Sequence, residues 1–441
     1  MTPRLLLAAL LAATTLAACG GRDADRDQTG PNPQLPELGE SWLPPMKIAR
    51  PAGWNGELPT VPAGFTIVPL ATDLKVPRQM LVLPNGDLLV AEGLGGKAPK
   101  LRPKDVIAGY IKGLGKSGTE GGDRITLLRD ADGDGKPELR TIFIDKLDAP
   151  YGLAFVDGHV YVANQDALLR FPYSDGQTRI TAPGEEVSKL PAKVNHHWTK
   201  ALVASPDGSK LYVGIGSNSN VGERGMDIEE DRAVIWEIDR AAGTNRIFVS
   251  GIRNPTALAF EPRSGVLWSV VNERDEIGDE LVPDYLTAVR EGAFYGWPYS
   301  YWGRHVDPRV RPQRPDLVRT AVTPDYALGS HVAPLGLSFV TGEGFPGFAE
   351  GAFVGEHGSW NRRNLVGYKV SFVPFTNGRP AGKPRDFVTG FIKDGKARGR
   401  PVGVTYDPAR RALFIADDLS NSVWRVTLSQ APAAPATTPA R

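Results

Sequence analysis

Apolar residues in this chain come in short alternating runs broken by turn-forming pairs. Copies of one unit, an apolar strand, a turn and a second apolar strand, occupy Met80–Val90, Gly152–Val162, Ala201–Val213, Ala257–Trp268 and Gly403–Ile415. A looser copy starts at Gly336 and resumes at Ala352. Asn-Gly and Asp-Gly at the turns, between runs rich in β-formers, predict hairpins. The copies recur about 65 residues apart, beyond common blade lengths, so long loops are inserted between them. No sustained helical period competes. The pattern predicts an all-β, six-bladed β-propeller with long inserted loops over 59–428.

Composition agrees. Fifty Gly and 38 Pro in 441 residues fit many strands joined by tight turns. With 51 Lys and Arg against 50 Asp and Glu, no basic domain stands out, which argues against nucleic acid as a partner. The single cysteine, Cys19, excludes an internal disulfide framework and a cysteine-built metal site.

Cys19 follows a basic residue, Arg4, then an apolar run and small residues. Residues 1–18 read as a lipoprotein signal peptide cut before a lipidated Cys19; an ordinary secretion signal with an incidental cysteine is the alternative. The lipoprotein reading puts the protein on the outer membrane or periplasmic face, touching the membrane through its lipid alone. Residues 19–58, rich in Pro, Gly and charge, read as a flexible tether, and 429–441 as a disordered tail.

Several loop segments carry candidate chemistry. In Gly251-Ile252-Arg253-Asn254-Pro255, proline restricts Asn254 to extended geometry and sets an Arg-Asn pair at a strand mouth. The pair offers a fork of donors and an amide, suited to a planar ligand rich in carbonyls and carboxylates. His196 and His197 precede another inner strand. Neighbouring strand residues face opposite ways, so at most one ring reaches the channel, as a proton acceptor or as a structural histidine. Arg398 and Arg400 share a face if the chain is extended, and would converge on an anion unless they form a solvated basic face. Five acids crowd Asn272–Glu280, a cation loop or a solvated charge run. Asp130, Asp132, Asp134 and Glu138 stand at EF-hand-like positions with Gly135 sixth and Thr141 where the usual glutamate would be. A plain Asp-Gly hairpin turn serves that loop equally.

Taken in order, one segment per successive repeat, these motifs resemble the PQQ-dependent sugar dehydrogenases, nearest the sorbosone dehydrogenase branch. The resemblance runs from about Pro77 to Val426. It implies that His197, five residues before Leu202, is the catalytic base and that Arg253 stabilises the reacting oxygen. It implies that Arg253, Asn254, His331, Arg398 and Arg400 hold PQQ, a tricarboxylate, and that backbone oxygens of Arg274 and Asp275 hold a calcium. Phe294–Pro298 matches a pocket wall. Where aldose dehydrogenases carry an acid assisting the histidine, this chain has Ser217. Where they carry a cofactor-binding lysine, it has Glu356–Arg362 without one.

The implied activity is oxidation of an aldose or sugar-derived aldehyde, with electrons passed to an external quinone or cytochrome. Two other classes stay open: a calcium-dependent propeller lactonase or hydrolase, which needs a metal held by side chains, and a non-catalytic lipoprotein scaffold.

Overall fold

The computed structural model describes residues 27–39, 46–96, 110, 113–115 and 118–429. Cys19, the signal segment and residues 430–441 lie outside them. Among the described residues, strands dominate. The named helices are Pro315–Thr320 and a 3-10 turn at Asp227–Glu229, and among the described residues no helix is long and apolar enough to cross a membrane.

Six antiparallel sheets of four or five strands follow one another along the chain. Their first strands are Pro77–Val82, Gly152–Val156, Lys200–Ala204, Pro255–Phe260, Pro334–Phe339 and Pro401–Asp407. Each repeat read from the sequence is the first hairpin of one sheet. The first strands of neighbouring sheets touch around a ring, the sixth returning to the first. An apolar cluster lies between every pair of neighbours. Leu168, Tyr161 and Ala163 pack on Leu202, Val213 and Trp236, for example, and Phe414 and Val423 pack on Met80 and Val90. Both faces of a sheet are therefore buried, which is why the runs are more apolar than strict alternation requires. The ring closes through Phe65–Ala71, which pairs with Ser422–Leu428 and completes the last sheet with a strand from the other end of the chain. This is a β-propeller.

The stretch expected to be a flexible tether needs correction where it is described. Thr29 and Gly30 pair with Leu328 and Ala327, and Arg50–Pro51 runs parallel to Lys396–Ala397. The Trp54 ring meets Phe391 and Trp424 edge-on. Glu57 ion-pairs with Lys393 and Arg398. The segment has no period because it crosses the ends of sheets instead of joining one. Short contacts anchor it, and their partners lie hundreds of positions away.

Candidate functional site

Two cavities open among the loops. The smaller, about 230 Å³, is lined by His196, His197, Arg253, Asn254, Asn272, Asp275, Asp284 and His331. The larger, about 550 Å³, is lined by Arg78, Gly95, Gly96, Trp198, His357, Arg400 and Asp418, with His196 common to both.

His196 and His197 do not alternate across a strand as expected. They sit in a bend before the strand Lys200–Ala204, after two residues in the left-handed region (Val194 φ 67°, Asn195 φ 49°). Their rings therefore touch, centroids 4.7 Å apart, and both line the small cavity. The bend is held from behind. Buried Lys200 donates to Asn195 Oδ1 and to the Trp198 carbonyl, and Arg232 donates to Asn195 Oδ1 and to the His197 carbonyl.

His197 Nδ1 lies 2.7 Å from the Ser217 carbonyl and 3.0 Å from Ser217 Oγ. A carbonyl only accepts, so Nδ1 carries the hydrogen and Nε2 keeps its lone pair. Burial, then the charges of Arg253 and His196, hold the ring well below its ordinary pKa of 6.5. It is a neutral proton acceptor at neutral pH. Ser217, where an acid was missed, orients the ring through its carbonyl and hydroxyl. Gly216 beside it leaves no room for a side chain, since a methyl there would collide with Asn254 Oδ1 and His197 Cβ.

Arg253 lines the cavity, yet most of its donors are engaged. Nε donates to the Asn220 carbonyl (3.1 Å), Nη1 to the Asn272 and Glu273 carbonyls (3.1 and 2.6 Å), and Nη2 to Asn220 Oδ1 (3.0 Å). It ties two loops together and brings positive charge more than free hydrogen bonds. Asn254 is different: its Oδ1 is buried with no hydrogen-bond partner, and so is Asn272 Oδ1.

The side chains of the two implied metal residues separate. Arg274 is fully buried and turned away, paired with Glu273 (3.0 Å) and Asp307 (3.2 Å) and donating to the Pro298 and Ser300 carbonyls. The Asp275 carbonyl accepts from Asn220 Nδ2 (3.0 Å) and Arg309 Nη1 (2.9 Å), donors that occupy the oxygen a cation would use. The carboxylate of Asp275 does line the cavity. The oxygens in this cavity that could hold a hard cation are the partnerless amide oxygens of Asn254 and Asn272, with Asp275. Asp284 nearby accepts from the Glu273 and Ala333 amides, and burial pushes it up to about 7. His331, at φ 62°, meets Asp275 at 3.4 Å and the Gly278 carbonyl at 3.2 Å. Burial alone would lower it; the hydrogen bond to Asp275 and the charges of Asp275 and Asp284 outweigh that and raise it.

Arg398 and Arg400 do not converge. Arg398 pairs with Glu57 at 2.8 Å and lies over Trp54, 5.4 Å from the ring centre, lining neither cavity. Arg400 lines the large cavity over Tyr368, with Nε buried and partnerless. The two residues precede the strand, which begins at Pro401, so strand alternation does not apply to them. Gly399 between them is pressed against Asp417.

Sequence reasoning missed Arg78, Trp198, His357 and Asp418. Arg78 pairs with Asp418 at 2.7 Å and stacks on Trp198; His357 Nε2 meets Asp418 at 3.0 Å. Burial would raise Asp418, but His357 and Arg78 hold it well below the usual carboxylate range. The available signal was position: Arg78 follows Pro77 at the mouth of a first strand, as Asn254 precedes Pro255. In the segment that lacks the cofactor lysine, Asn361 and Arg362 face Asp275 and Glu280.

Fold and site together define a β-propeller with a buried neutral histidine in one cavity beside a larger one lined by Arg78 and Arg400. A match to the family described as Glucose / Sorbosone dehydrogenase covers residues 157–370, and one described as TrAA12-like covers 316–429. An uncharacterised protein of Borreliella burgdorferi is 32% identical over 296 residues, 64% of this chain and 76% of that one. The aldose sugar dehydrogenase YliI of Escherichia coli is 28% identical over 130 residues, 29% of this chain and 33% of its own length. Among solved structures, the PQQ domain of pyranose dehydrogenase from Coprinopsis cinerea superposes with a TM-score of 0.67 at 19% identity, covering 84% of this chain and 97% of that one. The PQQ-bound aldose sugar dehydrogenase of Streptomyces coelicolor gives 0.54 at 16%, covering 84% and 100%. The chain belongs to the glucose/sorbosone dehydrogenase family.

Proposed function

We propose that this protein is a PQQ-dependent oxidoreductase that oxidises an aldose or a sugar-derived aldehyde, on a propeller whose six sheets are its blades. One observation carries the reading: His197, a buried neutral histidine that keeps its Nε2 lone pair, lines the small cavity, and its ring neighbour His196 stands between that cavity and a larger one walled by Arg78, His357 and Arg400. The buried, partnerless Nε of Arg400 fits a carboxylated ligand.

In this reading Arg400 and Arg78 hold the carboxylates of PQQ, and Asn254, Asn272 and Asp275 hold calcium. Bound PQQ supplies a quinone that accepts hydride. His197 Nε2 takes the proton of the substrate hydroxyl, and Ser217 keeps the ring in the tautomer that can do so. Arg253 contributes its charge to the field at the reacting oxygen. Electrons then pass to an external quinone or cytochrome. A lipid on Cys19 anchors the protein on the outer membrane or periplasmic face.

A second reading has one observation in its favour. The buried side-chain oxygens of Asn254 and Asn272 lie without partners in residues that line the small cavity, the kind of donor a calcium-dependent lactonase or hydrolase requires.

The test is titration of the metal-stripped protein with PQQ, with and without calcium, followed by dye-linked oxidation of a panel of sugars and aldehydes. Saturable PQQ binding with turnover lost in His197→Ala supports the dehydrogenase. No PQQ binding together with calcium-dependent lactone hydrolysis would replace it with the second reading.

A further inference from the structure

The loop Asp130–Glu138 lies far from both cavities along its sheet, joining Arg124–Arg129 to Leu139–Ile144 at the outer hairpin of the first sheet. Asp130, Asp132, Asp134 and Glu138 each place an oxygen within 4.8 Å of the others. One oxygen of each is engaged by the loop's own backbone: Gly135 N to Asp130 Oδ2, Asp134 N to Asp132 Oδ1, Lys136 N to Asp134 Oδ1 and Ala131 N to Glu138 Oε2. Four like charges held this close repel one another unless a cation sits among them.

The independent observation is Asp130 itself. It is only 9% exposed, and its Oδ1 is buried with no hydrogen-bond partner. A buried carboxylate oxygen without a partner costs free energy unless something positive meets it. The nearby cation, Arg425, ion-pairs with the other oxygen of the carboxylate and leaves Oδ1 without a hydrogen bond. Its Nη1 is 3.8 Å from Asp130 Oδ2, and its Nη2 donates to the Gly133 carbonyl at 2.9 Å.

From this we infer that the loop is a calcium site, separate from the cavities and independent of the proposed redox activity. Hard oxygen donors at positions one, three, five and nine of the loop suit a cation that takes six to eight oxygens, with the carbonyl at position seven and water completing the set. Magnesium, which demands a tighter octahedron, suits it less. Glu138 supplies the fourth carboxylate that Thr141, in the place of the usual glutamate, cannot.

Its place in the fold gives the site a role. Arg425 lies on Ser422–Leu428, the strand that pairs with Phe65–Ala71 to close the ring, and Gly135 faces Val68 on that closing strand. Calcium here fastens the first sheet to the seam where the two ends of the propeller meet.

The test compares the chelator-stripped full chain with an Asp132→Asn, Asp134→Asn double variant, both exposed positions whose change leaves the core untouched. Calorimetric calcium titration and thermal unfolding are read on each, with Asp275→Asn as the control for the small cavity. The expected result is one fewer calcium equivalent, or at least a tenfold weaker one, in the double variant. The calcium-dependent rise in unfolding midpoint should also shrink there and persist in Asp275→Asn. Identical stoichiometry, affinity and midpoint shift in the double variant and the unaltered chain would overturn the site, as would an unaltered chain that binds no calcium outside the small cavity.

Discussion

The two cavities that share His196 are built on opposite plans. In the smaller, nearly every polar group is held by another: Arg253 by three carbonyls and Asn220, His197 by Ser217, His331 by Asp275. What remains without partners there is acceptor oxygen, on Asn254 and Asn272. In the larger, Arg400 keeps a buried donor unengaged. A pre-organised cavity short of cations beside one short of anions suits two ligands of opposite charge, and under the proposed function it separates the group that would move a proton from the groups that would hold a cofactor.

The comparison breaks most visibly at His197. His197→Ala should lower turnover by about 10²- to 10⁴-fold, the usual contribution of a positioned base, while PQQ affinity stays within a few-fold. Steady-state rates beside binding isotherms check this, and a parallel loss of binding would merge the two cavities into one role. Arg400→Ala should weaken PQQ about ten- to a hundredfold, as loss of a charge-assisted bond on the order of 1.5–3 kcal/mol does. Gly216→Ala should destabilise by about 1–3 kcal/mol, because the added methyl meets Asn254 and His197, and turnover should fall more than affinity.

The pH dependence sharpens the same division. The neutral ring of His197 is the active form and burial holds it well below 6.5, so the acid limb of the rate should fall below 6.5 and the rate should be flat above it as far as this group acts. Protons bind the unfolded histidine first, so the same group costs stability only as pH drops below 6.5. An acid limb at 6.5 or higher would place another group in the base's role. Glu57→Ala should have the smallest effect, a marginal change in unfolding midpoint, because its carboxylate is exposed to solvent.

The hairpins were legible because burial on both sheet faces leaves paired apolar runs, and in three of the six an Asn-Gly or Asp-Gly turn marks the bend between them. Arg253, Asn254 and His197 were legible as loop residues ahead of first strands, and all three line the small cavity. The pairing of Arg398 with Glu57 was not, because it depends on an N-terminal segment that folds back across hundreds of residues. Asp275 was located without its geometry: which of its oxygens faces the cavity depends on Arg309 and Asn220, neither of which any local pattern connects to it. Arg78 and Asp418 meet only where the ring closes, a contact that no single repeat contains.

The most direct measurement is quenching of tryptophan fluorescence by PQQ, with Trp198 in the wall of the large cavity, in the unaltered chain, Arg400→Ala and Arg398→Ala. The account predicts that affinity falls at least tenfold in Arg400→Ala and changes by less than twofold in Arg398→Ala. Equal losses in both variants would contradict it and restore the paired-arginine clamp expected from the sequence.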